Sequence, residues 1–235
     1  DIVILAAGKG TRMQSALPKV LHKLAGKPLL GHVLDAAAAL GDCHNIVVTG
    51  HGGDAVRALY ASSNVTLVEQ TQQLGTGHAV LTALPHLRED ASVVILYGDV
   101  PLITTATLTK MLSAVSSNSL GLLTVTLGNP HGYGRIVRAA DGQIESIVEQ
   151  KDASPEQQKL CEVNTGVMAL TTEQLARWLP MIGNSNAQGE YYLTDIIALA
   201  RRDGCRVTSV QPSSASEVEG VNNRQQLAAL ERAYQ

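Results

Sequence analysis

Short apolar runs alternate with helical patterns through the first 127 residues of the chain. The runs predict strands at residues 2–5, 45–49, 65–69, 92–97 and 121–127, and the patterns between them predict helices at 28–40, 54–62, 77–87 and 104–116. Continuously apolar strands are typical of a parallel sheet that is covered on both faces. The alternation therefore predicts a Rossmann-like α/β fold, in which a mostly parallel sheet is flanked by helices.

The pattern changes after Asn129-Pro130. Two apolar segments, 135–137 and 144–148, are separated by Asp141-Gly142, which is typical of an antiparallel hairpin. The rest of the chain predicts strands at 163–170 and 205–210 and helices at 172–179, 192–202 and 223–234. We therefore expect a smaller antiparallel or mixed substructure in the second half.

Composition limits the class of protein. A chain of 235 residues with no Phe and one Trp predicts a single unit with an aliphatic core. A net charge of −3 argues against a surface that binds nucleic acid. Three scattered cysteines without a C-x-x-C motif argue against a disulfide framework or a zinc site, and favour the reducing cytoplasm. No apolar run approaches the ~18 residues that span a bilayer, so we expect no membrane contact.

The loop after the first predicted strand carries the groups that bind phosphate. Glycine lets the backbone approach an anion, and Lys and Arg neutralise its charge. Gly26-Lys27-Pro28 lacks the hydroxyl that follows the lysine of a P-loop, and Met13 stands where a dinucleotide fingerprint has its third glycine. The residues that favour a phosphate loop of another kind are Gly8, Lys9, Gly10, Thr11, Arg12, Ser15 and Lys19.

Several strings together carry a resemblance to a known family. Residues 5–13, LAAGKGTRM, with Pro18-Lys19 and Gly26-Lys27-Pro28, resemble the signature of the sugar-phosphate nucleotidyltransferases. Later strings are similar to those of the uridyltransferase domain of the bifunctional bacterial N-acetylglucosamine-1-phosphate uridyltransferases, and the resemblance covers essentially the whole chain. These are Gln70, 74–79 (LGTGHA), 97–102 (YGDVPL), 132–136 (GYGRI), Glu149, 164–166 (NTG) and 219–224 (EGVNNR).

The resemblance implies an activity and a domain organisation. The activity is transfer of uridylyl from UTP to N-acetyl-α-D-glucosamine 1-phosphate, which gives UDP-N-acetylglucosamine, a precursor of peptidoglycan and lipopolysaccharide, and diphosphate. We expect one uridyltransferase domain over 1–235, with a nucleotide-binding part at about 1–128 and a sugar-binding part at about 129–222. The chain lacks the hexapeptide repeats of the family's β-helical acetyltransferase domain, through which the full-length proteins form trimers. We therefore expect a monomer without acetyltransferase activity.

The resemblance also implies site residues. Arg12 and Lys19 would be catalytic, and Asp99 and Asn222 would hold Mg²⁺, a hard cation that prefers oxygen ligands and keeps several waters. The implied substrate-binding residues are Leu5, Ala6, Ala7, Gly8, Lys19, Gln70, Gly75, Thr76, Tyr97, Gly98, Asp99, Gly134, Glu149, Asn164 and Asn222. One departure from the family pattern is a longer hairpin turn at 138–142.

Other interpretations of these residues remain open at this point. Asp99 could simply start a turn before Pro101, and Asn222 could cap the last helix. Rival functions are a nucleotidyltransferase with another base or sugar, a non-catalytic module that binds sugar nucleotides, and, more distantly, a dehydrogenase. No Ser-His-Asp or Cys-His arrangement stands out, which agrees with a reaction whose nucleophile is a substrate phosphate oxygen.

Overall fold

The computed structural model describes residues 1–234 and arranges the strands in a nine-stranded sheet and a two-stranded ribbon. The strands are β1 (Ile2–Ala6), β2 (Lys23–Leu24), β3 (Lys27–Pro28), β4 (Asn45–Thr49), β5 (Val65–Glu69), β6 (Ser92–Tyr97), β7 (Ser119–Thr126), β8 (Arg135–Arg138), β9 (Ile144–Val148), β10 (Glu162–Thr171) and β11 (Arg206–Val210). The helices are α1 (Leu29–Ala38), α2 (Gly53–Tyr60), α3 (Thr76–Ala83), α4 (Thr105–Ser113), α5 (Thr172–Trp178), α6 (Ile196–Arg202) and α7 (Arg224–Tyr234).

The first half of the chain forms the parallel part of the large sheet, whose order is β11-β7-β10-β6-β1-β4-β5. Strand β1 pairs in parallel with both β4 and β6, and β4 pairs in parallel with β5. The carboxyl ends of these strands therefore lie along one edge. The predicted mostly parallel sheet flanked by helices is confirmed.

The second half adds the antiparallel strands. Strand β10 lies between β6 and β7 and is antiparallel to both, while β8 and β9 form the predicted hairpin. Strand β8 also pairs with β10, so the hairpin extends the same sheet. The predicted antiparallel or mixed substructure is thus present, and it is continuous with the parallel strands.

The core consists of aliphatic layers on the two faces of the sheet. Side chains alternate along a strand, so Val3 and Leu5 of β1 pack in one layer and Ile2 and Ile4 in the other. Each such buried side chain stabilises the fold by roughly 1.5–3 kcal/mol relative to an exposed one. A third, smaller cluster packs α7 against the loop that follows β1 and comprises Met13, Leu24, Leu29, Val221 and Leu230.

Three predicted helices are shorter than expected and are joined to 3₁₀ turns, among them 172–179, which is α5 followed by the turn Leu179–Met181. The predicted helix 77–87 is α3 followed by the turn Leu84–His86, where Pro85 stands in the first turn and supplies no N–H for a continuing helix. The predicted helix 192–202 begins with the turn Leu193–Asp195 before α6. The ribbon of β2 and β3 is too short to have a sequence pattern. None of the helices between residues 1 and 234 has both the length and the apolar composition that crossing a membrane requires.

Candidate active site

A cavity of about 720 Å³ opens at the carboxyl ends of β1 and β6. Open α/β sheets bind their ligands at this edge, and the volume lies in the range of small-molecule sites. Segments from across the chain line it, including the first loop, the loop after β5, residues 131–133 and residues 218–226. The implied site residues that line it are Leu5, Ala6, Ala7, Gly8, Arg12, Lys19, Gln70, Gly75, Thr76, Tyr97, Asp99 and Asn222.

One end of the cavity, which we call the charged corner, consists of Arg12, Lys19, Asp99 and Asn222. The Lys19 ammonium forms an ion pair with Asp99 Oδ2 and also donates to Asn222 Oδ1, at 3.1 Å. Arg12 Nη2 donates to the same Asn222 oxygen at 3.0 Å. The side chains of Lys19 and Asp99 are 15% and 13% exposed. Residues up to 210 positions apart in sequence are therefore in direct contact here.

The charged corner has the donors that a hard divalent cation needs. The carboxylate oxygen of Asp99 and the amide oxygen of Asn222 converge on one cationic group, the Lys19 ammonium. Oxygen donors of this kind suit Mg²⁺, which usually keeps waters and substrate phosphates as its other ligands. Within residues 1–234, no group of three or more His, Cys, Asp and Glu side chains is arranged to hold a metal. The corner therefore fits a metal that is bound together with a phosphate.

Helix α7 supports the charged corner from behind. Arg224, on its first turn, donates to the backbone oxygens of Met13 at 3.1 Å and Gln14 at 3.3 Å. The backbone N–H of Asn222 donates to Gln226 Oε1 at 2.8 Å, and the N–H of Val221 donates to the backbone oxygen of Asp99 at 2.9 Å. These contacts fix the loop that carries Arg12. Sequence reasoning gave Arg224 and Gln226 no role; the partners of Arg224 are more than 200 residues away in sequence.

A second part of the site, which we call the polar wall, begins with Gln70, Gly75 and Thr76. Gln70 is only 3% exposed, and its Nε2 donates to the Gly75 carbonyl at 3.1 Å. Gly75 has φ of +117°, and a Cβ there would lie 2.6 Å from the Tyr191 carbonyl oxygen, so only glycine fits this position. Backbone bonds join this loop to the segment 191–193: Gly77 N–H donates to the Tyr191 oxygen at 2.8 Å, and Leu193 N–H donates to Thr76 Oγ1 at 3.0 Å.

The polar wall continues with Gly134, Glu149 and Asn164, which lie where β8, β9 and β10 meet. The backbone N–H of Asn164 donates to the Gly134 carbonyl at 2.8 Å. A Cβ on Gly134 would lie 3.3 Å from Glu149 Oε1, so these two residues are adjacent. The turn at 138–142 does not separate them, because Arg135 and Val148, the neighbours of Gly134 and Glu149, are paired across the hairpin. The three residues, together with Gly98, do not line the cavity described above.

Glu149 is the charged group of the polar wall. Burial raises the pKa of Glu149 above its ordinary value, nearby Asp152 and Asp195 raise it further, and the hydrogen bond from the Thr194 hydroxyl lowers it. Thr194 Oγ1 lies 3.2 Å from Glu149 Oε1. Burial also raises the pKa of the Tyr97 phenol, with smaller contributions from Glu149 and Asp99. The Tyr97 phenol thus lies close enough to both Glu149 and Asp99 for their charges to affect it.

The chain is similar in sequence and in fold to several known proteins. The family model of the MobA-like NTP transferase domain matches residues 2–165. The chain is 57% identical over 235 residues to the "Bifunctional protein GlmU" of Cellvibrio japonicus, covering 100% of this chain and 52% of that protein. It is 59% identical over 235 residues to the protein of the same name from Saccharophagus degradans, with the same coverage of 100% and 52%. The chain therefore spans about half the length of these curated relatives.

Solved structures of similar fold include a UDP-glucose pyrophosphorylase in complex with UDP-glucose, with a TM-score of 0.78, 19% identity, and coverage of 99% of this chain and 97% of that one. A nucleotidyl transferase from Methanothermobacter thermautotroptrophicus has a TM-score of 0.70, 19% identity, and coverage of 99% and 96%. At this level of identity the likeness establishes the fold alone.

Proposed function

The chain belongs to the MobA-like NTP transferase family, and from this premise we propose that it transfers a uridylyl group from UTP to N-acetyl-α-D-glucosamine 1-phosphate. The products are UDP-N-acetylglucosamine, a precursor for cell-wall polymers, and diphosphate. The observation that carries the proposal is one cavity that joins the charged corner to the buried amide of Gln70 and to Gly75 and Thr76. High identity to relatives named GlmU over the whole chain supports the choice of base and sugar.

The reaction needs no nucleophile from the protein. A phosphate oxygen of the sugar phosphate attacks the α-phosphorus of UTP, a new P–O bond forms, and the bond from the α-phosphorus to the bridging oxygen of the leaving diphosphate breaks. The work left for the protein is positioning and charge neutralisation. This agrees with a cavity that is lined by two cations, Arg12 and Lys19.

Arg12 and Lys19 are the residues that we assign to charge neutralisation. Lys19 contacts both Asp99 and Asn222, and Arg12 contacts Asn222. When phosphates enter, the Lys19 ammonium turns from Asp99 to a phosphate oxygen, and Arg12 binds the phosphates with its guanidinium. Asp99 and Asn222 would then hold Mg²⁺, which offsets negative charge on the phosphates when it is bound.

The polar wall supplies selectivity in this proposal. Gln70, Gly75 and Thr76 bind the uracil, while Gly134, Glu149 and Asn164 bind the hydroxyl and acetamido groups of the sugar. The side chains of Gln70 and Asn164 are buried, so leaving a polar group unmatched beside them costs roughly 1–3 kcal/mol. A ligand with a different hydrogen-bond pattern is therefore rejected.

The test is diphosphate release measured with every pairing of four NTPs and a panel of sugar 1-phosphates. We expect turnover to be highest by far with UTP and N-acetylglucosamine 1-phosphate, and to require Mg²⁺. Preference for another base or sugar would establish a rival nucleotidyltransferase. Tight binding of UDP-N-acetylglucosamine without diphosphate release under any pairing would favour a non-catalytic binding module.

A further inference from the structure

His78, in the first turn of α3, contacts the side chain of Gln70 rather than the cavity. Its Nδ1 lies 2.9 Å from Gln70 Nε2, and the same Nε2 lies 3.1 Å from the carbonyl oxygen of Gly75. A carbonyl oxygen can only accept, so the NH₂ group of Gln70, and not its oxygen, must face Gly75. The Gly75 carbonyl therefore fixes which way the amide points.

The orientation of the amide also fixes the tautomer of His78. One hydrogen of the Gln70 NH₂ group goes to the Gly75 carbonyl, and the other points to His78 Nδ1. A ring nitrogen that receives a hydrogen bond must carry a lone pair, so the proton of the neutral imidazole is on Nε2. His78 is thus an acceptor that occupies the second hydrogen of Gln70.

The consequence for Gln70 is that both of its donors are used within the protein. Oε1 remains, and no group within residues 1–234 donates to it. Gln70 lines the cavity and is 3% exposed. The side chain therefore presents an acceptor, and only an acceptor, to a base.

We propose that His78 is a positioning residue that sets the preference for uracil over cytosine. The inference rests on the proposed function, in which Gln70 contacts the base. N3 of uracil carries a hydrogen and can donate to Gln70 Oε1, whereas N3 of cytosine carries a lone pair and would face another lone pair. Without His78 one of the two acceptors that hold the amide is lost, so only the Gly75 carbonyl opposes the rotation that would let Gln70 donate to cytosine N3.

The experiment compares kcat/KM for UTP and CTP, with one sugar phosphate, in the wild type and in two variants. His78→Asn keeps an acceptor oxygen near the position of Nδ1, while His78→Leu removes the acceptor. We expect His78→Leu to lower the ratio of UTP to CTP by about 10-fold or more, the size expected for one buried hydrogen bond. We expect His78→Asn to keep the ratio within about 3-fold of wild type. The control is His86→Leu, because His86 is exposed and lies in the 3₁₀ turn that follows α3.

The outcomes separate the positioning role from the proposed function. If His78→Leu lowers activity with both nucleotides equally, His78 is merely structural and the inference is overturned, although the proposed function stands. If the wild type itself does not prefer UTP, the proposed function fails and this inference fails with it.

A second measurement reads the tautomer of His78 directly in the wild type. In an NMR spectrum of ¹⁵N-histidine-labelled wild type at pH 8, we expect the resonances of His78 to report an unprotonated Nδ1 and a protonated Nε2. The signals are assigned by their loss in His78→Asn. A proton on Nδ1 would overturn the inference, because that nitrogen could not then accept from Gln70.

Discussion

The charged corner and the polar wall are held together by different interactions. In the charged corner, side chains of opposite charge pair with one another, as Lys19 does with Asp99. In the polar wall, backbone groups and a buried amide hold the geometry, as in the bonds between Thr76 and Leu193 and between Gln70 and Gly75. In the charged corner, the charged groups proposed to bind phosphate and metal are paired with each other. In the polar wall, the hydrogen bonds hold the side chains and backbone in a fixed geometry.

This difference indicates which part of the site rearranges when substrate binds. In the charged corner, Lys19 can exchange Asp99 for a phosphate, and Asp99 can exchange Lys19 for a metal ion, so each charge keeps a partner and the exchange leaves none buried alone. In the polar wall, breaking a hydrogen bond would strand a buried polar group at a cost of roughly 1–3 kcal/mol. We therefore infer that the charged corner rearranges on binding and the polar wall selects the ligand.

The largest effect is expected at Asp99, the carboxylate of the charged corner. Asp99→Asn keeps the shape but removes the charge, so the metal is no longer held and turnover falls by about 100-fold or more, as when a preorganised electrostatic contact is lost. Asn222→Ala removes a neutral donor and should cost less. Turnover is measured against Mg²⁺ concentration for both variants and the wild type.

The same pair of variants also tests whether Asp99 acts through the metal. Because the protein supplies few ligands, Mg²⁺ and nucleotide should each tighten the binding of the other. In Asp99→Asn this linkage should disappear while the melting temperature stays close to wild type. If an Asp99 variant kept its activity and its dependence on Mg²⁺, Asp99 would not be a metal ligand.

The polar wall is expected to tolerate added volume poorly, and Gly166 tests this. Gly166 has φ of +90°, and a Cβ there would lie 2.4 Å from the ring of Tyr97. Gly166→Ala should lower the free energy of unfolding by roughly 1–3 kcal/mol through strain and overpacking. It should also raise the KM for the sugar phosphate, because Asn164 Oδ1 accepts from the Gly166 N–H at 3.0 Å.

The control for this substitution is Gly128→Ala, since a Cβ on Gly128 would meet nothing within 4 Å. Chemical denaturation and sugar-phosphate kinetics are measured for both variants. If Gly166→Ala and Gly128→Ala change the free energy of unfolding and the KM equally, the polar wall can adjust to added volume. The polar wall would then be no more rigid than the charged corner.

Substitutions in the polar wall can separate binding of the sugar from binding of the base. Glu149→Ala and Asn164→Ala should raise the KM for the sugar phosphate by about tenfold or more, because each removes a buried hydrogen-bonding partner. The KM for UTP should change much less. An equal rise in both constants would show that these residues do not contact the sugar.

Local patterns were sufficient for the parallel part of the fold. The predicted strands 45–49, 65–69 and 92–97 have the bounds of β4, β5 and β6, because buried parallel strands are nearly continuous apolar runs. Strand order was not predictable in the same way. Strand β10 enters between β6 and β7 through contacts between residues far apart in sequence, such as Met168 with Ile95, which no local pattern records.

The candidate site divides in a similar manner. The residues of the charged corner stand in strings that resemble a family, and the structure brings Arg12, Lys19, Asp99 and Asn222 into contact. The supporting residues carry less of this signal. Arg224 ends the resembled string 219–224, but its contact with the first loop could be found only by knowing that α7 packs there, which depends on the whole fold.

The smallest effect concerns the one carboxylate that the polar wall buries. Because burial raises the pKa of Glu149, the folded protein binds this proton more tightly than the unfolded chain does. The stabilisation from this group is therefore fully present below the unfolded pKa and is lost as pH rises through the raised, folded pKa. Glu149→Gln has no charge to bury and keeps an oxygen for the Thr194 hydroxyl. Its melting temperature should rise relative to wild type as pH increases from about 4 to 8.

The exposed Glu145→Gln on β9 is the matched control, because its carboxylate stays in water and its melting difference should not follow pH in this way. Sugar-phosphate binding should move in the opposite direction, since an amide replaces the charged acceptor: Glu149→Gln is expected to be more stable at neutral pH and to have a higher KM for the sugar phosphate. A melting difference that stays constant with pH would mean that Glu149 is solvated in the folded protein. The polar wall would then be held less tightly than the charged corner, the reverse of the contrast drawn from their contacts.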